Sequence, residues 1–323
     1  MKKIFKISVI LVTVLFLFSW TTMRDTGPIK PGSFVTSKTF KKSFNFIIVS
    51  DWGWNGFKHQ QEVADQMAKT SDSINAKFIV SCGDNFQTAG VASIQDPLWL
   101  SNFENVYKTP SLMVDWYPVL GNHDYKGNTQ AEIDYSKISR RWRLTDHYYT
   151  FTKKVNDSIS VRLIFLDTPP FVEEYQKNPE GYPDVAKQDT AKEIRWLKDV
   201  LANSKEQWIL VFGHHPIYSA SKTHGNTKEM IERVKPLLEK YHAQFYFCGH
   251  DHDFQHLHEK GGKVEYIVTG TGGEPRPCST NNMSVFSESE PGFSIVSLNA
   301  DSIRLCFVGI KGNLIYRFGR SYK

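Results

Sequence analysis

Residues 77–87 read KFIVSCGDNFQ. Phe78, Ile79 and Val80 form a short unbroken apolar run, the mark of a strand buried on both faces. The run passes through Gly83 into a carboxylate and an amide, Asp84 and Asn85. A glycine lets the backbone turn sharply without a side-chain clash. A buried strand that stops on a glycine and an acid predicts a sheet with polar chemistry at its strand ends.

The same grammar recurs along the chain. FIIVS leads into Asp51-Trp52-Gly53, and YPVL into Gly121-Asn122-His123-Asp124. ILVF leads into Gly213-His214-His215-Pro216, and FYFC into Gly249-His250-Asp251-His252. Between these strands the period changes. Val63, Met67 and Ile74 have helical spacing over 59–74. Thr190-Ala191-Lys192-Glu193 reads as a capping box, followed by Ile194, Leu197 and Leu201 on one face. Residues 227–241 are helical, with Pro236 expected to kink or split them. Residues 161–167 and 264–270 read as further strands. Residues 293–319 alternate as a meander with a turn at Lys311-Gly312-Asn313. No repeat or linker divides this body, so 44–323 is expected to form one α/β domain.

The N-terminus differs. Lys2 and Lys3 precede fourteen uncharged residues, 7–20 (ISVILVTVLFLFSW). A basic start and a short apolar core predict a signal peptide, or an N-terminal anchor, over 1–22. The stretch is shorter than the roughly 20 residues of a spanning helix. Residues 23–43 read as an exposed leader. The chain is therefore expected to be exported: periplasmic, extracellular or membrane-anchored through its N-terminus, with no other membrane contact. A formal charge of +5 from interspersed residues makes no basic stripe, so no nucleic-acid partner is expected. Four cysteines in 323 residues are no disulfide framework. Cys82 and Cys248 end apolar runs as packed thiols, and a Cys278–Cys306 bridge stays open.

Alone, each strand-end residue has an ordinary reading: Asp51 caps a turn, Asn122 is a turn residue, and His214 shapes a bend before Pro216. Five clusters of Asp, Asn and His behind five buried runs are a different matter. Oxygen and imidazole donors without thiolate suit Zn, Fe or Mn rather than a sulfur-rich structural site. A carboxylate can bridge two such ions about 3.5–4 Å apart. Trp52, Trp54 and Phe86 are read as packing, His242 as structural, and His256 and His258 as a solvent-facing strand edge.

DWG, GDNF, GNHD, GHHP and CGHDH, in that order, resemble the calcineurin-like metallophosphoesterases, and more narrowly the tartrate-resistant, purple acid phosphatase type. YSKISRRW (135–142), LDT (166–168) and WLKDVLA (196–202) extend the likeness. The resemblance implies a four-layer sandwich of two packed mixed β-sheets flanked by helices. It implies Asp51 and His252 on a first metal, Asp84 as the bridge, and Asn122, His214 and His250 on a second. His123 matches the histidine that faces the substrate phosphate. His224, before Gly225, resembles another active-site histidine. Asp124 is expected to orient His123.

The implied activity is that of an acid phosphatase. A metal-bound hydroxide attacks a small phosphomonoester in line, and His123 or His224 assists the leaving oxygen. No phosphoenzyme is required, and a monomer is expected. A phosphodiesterase or nucleotide-directed phosphohydrolase of the same fold is one alternative. A metal-bound interaction module without turnover is another. Two residues depart from the family pattern. Gln87 stands where the purple enzymes carry a metal-binding tyrosine, so it is at most a weak ligand and two divalent ions (Fe, Zn or Mn) are expected. Asp253 stands where animal members tend to have Asn.

Overall fold

Phe44–Val49 forms β1, apolar except for Asn45, and all but its first residue are buried. It pairs in parallel with β2 (Phe78–Ser81), which pairs in parallel with β3 (Asp115–Pro118). Helix α1 (Gln60–Ile74) makes the first crossover and buries Val63, Met67 and Ile74. A parallel pair needs such a crossover because a tight turn cannot reverse the chain twice. These elements belong to a computed structural model that describes residues 40 and 42–322. The apolar segment 1–22 and nearly all of 23–43 lie outside the described residues, although Phe40 is buried in the core. Among the described residues, no helix is long and apolar enough to cross a membrane.

The other side of β1 is filled from the far end of the chain. The meander is β11 (Gly292–Leu298), β12 (Ser302–Gly309) and β13 (Leu314–Ser321). β11 runs antiparallel to β1 with Phe44 opposite Leu298. The first sheet thus has the order β13-β12-β11-β1-β2-β3.

The second sheet has seven strands. They are β4 (Tyr149–Lys154), β5 (Ser160–Phe165), β6 (Trp208–Phe212), β7 (Phe245–Cys248), β8 (Phe254–His258), β9 (Glu265–Thr269) and β10 (Ser284–Glu288). Their order is β10-β8-β9-β7-β6-β5-β4, parallel through β5, β6, β7 and β9. The sheets face one another through aromatic contacts such as Phe46 against Phe212, with ring centres 6.4 Å apart. Further helices are α2 (Thr129–Tyr135), α3 (Glu173–Gln176), α4 (Thr190–Asn203), α5 (Lys228–Arg233) and α6 (Lys235–Lys240). Leu197, Leu201, Met230 and Leu238 from α4–α6 cover the outer face of the second sheet. The four-layer sandwich is present as expected.

Several local expectations need correction. Asp189, not Thr190, caps α4 by accepting the Lys192 N–H at 2.9 Å. Glu193 turns away from the helix start and accepts the Asp167 N–H at 2.9 Å. The 227–241 helix is split, as expected, into two helices with Pro236 in the first turn of the second. All four cysteines are free thiols. Trp52 packs among Phe86, Phe103, Tyr107, Trp116 and Trp142, so it is core as expected.

His256 and His258 do not face solvent. They lie on β8 inside the sheet, 3.0 Å and 2.9 Å from the Glu265 carboxylate. Burial pushes that carboxyl up, but hydrogen bonds from His256 and His258 outweigh it and hold it at about 2, against an ordinary 4.5. A depressed carboxyl stabilises the folded chain above its unfolded pKa. That stability is lost as pH falls from 4.5 toward 2. Glu265→Gln should therefore flatten the drop in urea midpoint between pH about 5 and about 2.5. An unchanged drop would show that Glu265 is not the group responsible.

Candidate metal centre

The carboxyl ends of β1, β2 and β3 meet those of β6 and β7. Asp51, Asp84 and Asn122 follow strands of the first sheet, whereas His214, His250 and His252 follow strands of the second. Three donors thus come from each sheet, and all six are buried. Their turns are tight. Asp51, Asp84 and His250 hold left-handed backbone, with φ of 59°, 48° and 70°. For residues with a side chain this costs about 1–3 kcal/mol each, and such strain collects at functional sites. Gly121 makes room for one of them: a Cβ there would stand 2.2 Å from Asp84 Oδ1.

His214 Nε2 lies 3.4 Å from Asp84 Oδ1, 3.0 Å from Asn122 Oδ1 and 3.2 Å from His250 Nδ1. Ligand atoms of Asp51, Asp84 and His214 all fall within 4.8 Å of one another. His252 Nε2 is 3.4 Å from Asp51 Oδ1. The donors therefore form two neighbouring groups, Asp51 with His252 and Asn122 with His214 and His250, with Asp84 in reach of both Asp51 and His214.

The rings are held in useful tautomers. His214 Nδ1 lies 2.9 Å from the Cys82 carbonyl, and His252 Nδ1 lies 2.8 Å from the Glu274 carbonyl. A carbonyl accepts only, so each Nδ1 carries the proton and each Nε2 lone pair faces the acids. Burial, reinforced by the neighbouring His215 and His214, pushes His250 well below its ordinary value and keeps it neutral. Burial raises the Asp51 carboxyl, but His252 first, then His214 and Ser50, outweigh it and hold it below its ordinary value. Asp51 Oδ1 is nevertheless buried without a hydrogen-bond partner. A buried anionic oxygen of this kind needs a cation. The residues present fit a pair of metal ions.

His123 stands at the open side of this cluster, with its side chain 26% exposed and Nε2 4.0 Å from Asp84 Oδ2. Its backbone N–H donates to Asp84 Oδ1 at 2.9 Å. The expectation for Asp124 fails. Asp124 does not touch the His123 ring, whose Nδ1 lies 3.4 Å from both the Thr88 carbonyl and Lys126 Nζ. Instead the Asp124 carboxylate accepts from the backbone N–H of Gly121, Phe86 and Asn85 at 2.8, 3.0 and 3.2 Å. It ties the Asp84 loop to the Asn122 loop. Burial and the Asp84 charge raise its carboxyl to about 7, against those backbone bonds.

His224 does reach the centre, its ring 4.1 Å from that of His250. Gln87 is buried, its backbone N–H donates to the Gly53 carbonyl at 3.1 Å, and its amide nitrogen has no hydrogen-bond partner. Sequence reading missed two participants. Thr168 Oγ1 accepts the backbone N–H of His214 and of His215. The Tyr175 hydroxyl lies 3.1 Å from His215 Nε2. LDT was the one available signal for Thr168; Tyr175 lies in a stretch with no periodic signature.

Residues 44–254 match the calcineurin-like phosphoesterases. The chain belongs to that family. This phosphoesterase is also similar to purple acid phosphatase 17 of Arabidopsis thaliana, at 30% identity, with 94% of this chain and 92% of the relative covered. It is 32% identical to tartrate-resistant acid phosphatase type 5 of Homo sapiens, covering 85% of this chain and 90% of the relative. Among solved structures it is similar to GAP50, the anchor in the inner membrane complex of Plasmodium. That likeness has a TM-score of 0.75 at 25% identity over 87% of this chain and 89% of the other. The phosphoesterase is a metal-dependent hydrolase with donors for a dinuclear centre.

Proposed function

We propose that this phosphoesterase is an exported acid phosphatase that hydrolyses small phosphomonoesters at a dinuclear centre. One observation carries the reading: the buried carboxylate of Asp84 shares a cluster with Asp51 and His214, while His123 stands at the open edge of that cluster. Asp51 and His252 would hold one ion and Asn122, His214 and His250 the other, with Asp84 common to both. Bound there, two cations supply acidification of water and neutralisation of phosphate charge.

The chain's own residues do the rest. The Asn122 amide, whose Oδ1 lies 3.0 Å from His214 Nε2, helps orient the phosphate. His123 Nε2 faces the phosphate and stabilises its charge or protonates the leaving oxygen. His224 borders the same space. Asp124 acts through the backbone, holding the two loops in register. The products are inorganic phosphate and an alcohol.

Turnover of p-nitrophenyl phosphate, compared with its bis-ester, tests the assignment. Preference for the bis-ester would turn the reading to a phosphodiesterase. Metal-loaded protein inert toward both would favour a binding role, which the likeness to a membrane-complex anchor makes worth testing.

Gln87 carries a second expectation. A neutral amide oxygen cannot supply the tyrosinate-to-iron absorption of the purple enzymes, and it removes an anion from the first metal site. Protein expressed with iron should be colourless and hold divalent ions. A visible purple band in the purified protein would refute this.

A further inference from the structure

His215 sits between two hydroxyls, and counting their hydrogen bonds fixes where each proton lies. Thr168 follows β5, and its Oγ1 accepts the backbone N–H of His214 at 3.2 Å and of His215 at 2.9 Å. A hydroxyl oxygen has two lone pairs and one proton. Both lone pairs are taken, so the 3.0 Å contact between Oγ1 and His215 Nδ1 is a donation from Thr168. Nδ1 therefore keeps its lone pair, and Nε2 carries the ring's proton. That N–H donates to the Tyr175 hydroxyl oxygen, 3.1 Å away. The Tyr175 proton is left over. Among the described residues, His215 is the only hydrogen-bond partner of this hydroxyl.

Tyr175, on α3, is buried beside the second group of donors. Ligand atoms of His214, His215 and His250 lie within 4.8 Å of one another, and the His215 ring centre is 4.4 Å from that of His250. Both nitrogens of His215 are engaged, so this histidine offers no lone pair to an ion. Burial first, then the neighbouring Tyr182 and the Asp84 charge, push the Tyr175 phenol well above its ordinary value. It remains a donor.

We propose that Tyr175 is a further catalytic residue whose O–H donates to a phosphate oxygen of the substrate, with His215 and Thr168 as the positioning residues that aim it. This deepens the phosphatase reading above and rests on it. The phenol keeps its proton throughout. Its hydrogen bond strengthens as negative charge gathers on the phosphoryl oxygens.

Tyr175→Phe keeps the ring and removes the donor. In metal-loaded protein, kcat for p-nitrophenyl phosphate should fall about 10–100-fold. The calorimetric Kd for inorganic phosphate should rise about tenfold, the loss of one charge-assisted contact, with metal content unchanged. His215→Leu should show part of the same losses, and His215→Gln, which keeps an N–H donor, should recover much of them. In the Tyr175→Phe background His215→Leu should cost nothing further, because His215 acts through the phenol. If Tyr175→Phe keeps both kcat and phosphate affinity at wild-type values, the tyrosine only packs and the proposal is overturned. Should Tyr175→Phe fail to fold, equal phosphate affinity in His215→Leu and His215→Gln overturns it. Wild-type protein that binds phosphate yet turns over no ester would instead defeat the phosphatase reading, and the phosphate titrations would still decide the role of Tyr175.

Discussion

Asp84→Asn should lower turnover of p-nitrophenyl phosphate by about 10³-fold or more and strip metal from the protein. The size follows from what a shared carboxylate would do there: losing several kcal/mol of charge balance at two ions would raise the barrier by that much, at roughly 1.4 kcal/mol per factor of ten. Asparagine is nearly isosteric and tolerates left-handed backbone better than most residues. The φ of 48° at this position therefore adds no new strain. The amide oxygen can still accept the His123 N–H that Asp84 Oδ1 accepts now. Loss of activity then reports the missing charge rather than a collapsed loop. Elemental analysis and turnover on the same sample decide it. Full metal content with undiminished turnover would remove Asp84 from the bridge.

His123→Ala should cost about 10²–10⁴-fold in kcat, the range for a positioned proton donor or charge stabiliser, while both ions stay bound. The separation is the point. His123 lies outside the six buried donors, and its ring makes only long contacts, to Thr88, Lys126 and Asp84. Its backbone is ordinary right-handed at φ −70°, so alanine fits without strain. Melting temperature and metal content should match wild type. Turnover equal to wild type would show that another group faces the phosphate.

Both tests start from residues that were legible in the sequence, and the reason is physical. Each buried parallel strand shows as an unbroken apolar run, and each donor follows its run within a few residues. Local order therefore pointed to a centre built from distant segments. Where tertiary contacts decide, sequence reading failed. Asp189 and Thr190 are both good caps, and Glu193 is lost to the capping box because it serves the Asp167 backbone. Asp124 follows His123 in sequence, but successive side chains on a 3₁₀ turn point about 120° apart, and its carboxylate went to the Asp84 loop. His256 looked like an exposed edge until β10 covered that flank of β8. β4 and β10 carry polar residues on half-exposed strands, so no apolar run announces them. Tyr175 sits on the one-turn helix α3, too short to show a period.

The pairing of Phe44 with Leu298 has a consequence for how the molecule is made. Every proposed ligand is present in the chain once residue 252 is synthesised, yet the strand that delivers Asp51 still lacks its neighbour on one side. That neighbour is encoded among the last few dozen residues. Ladders joining chain ends are slow to form, since a long loop must close before any contact rewards it. The hydrolytic centre is thus among the last parts of the polypeptide to acquire its shape, though its ingredients are present well before.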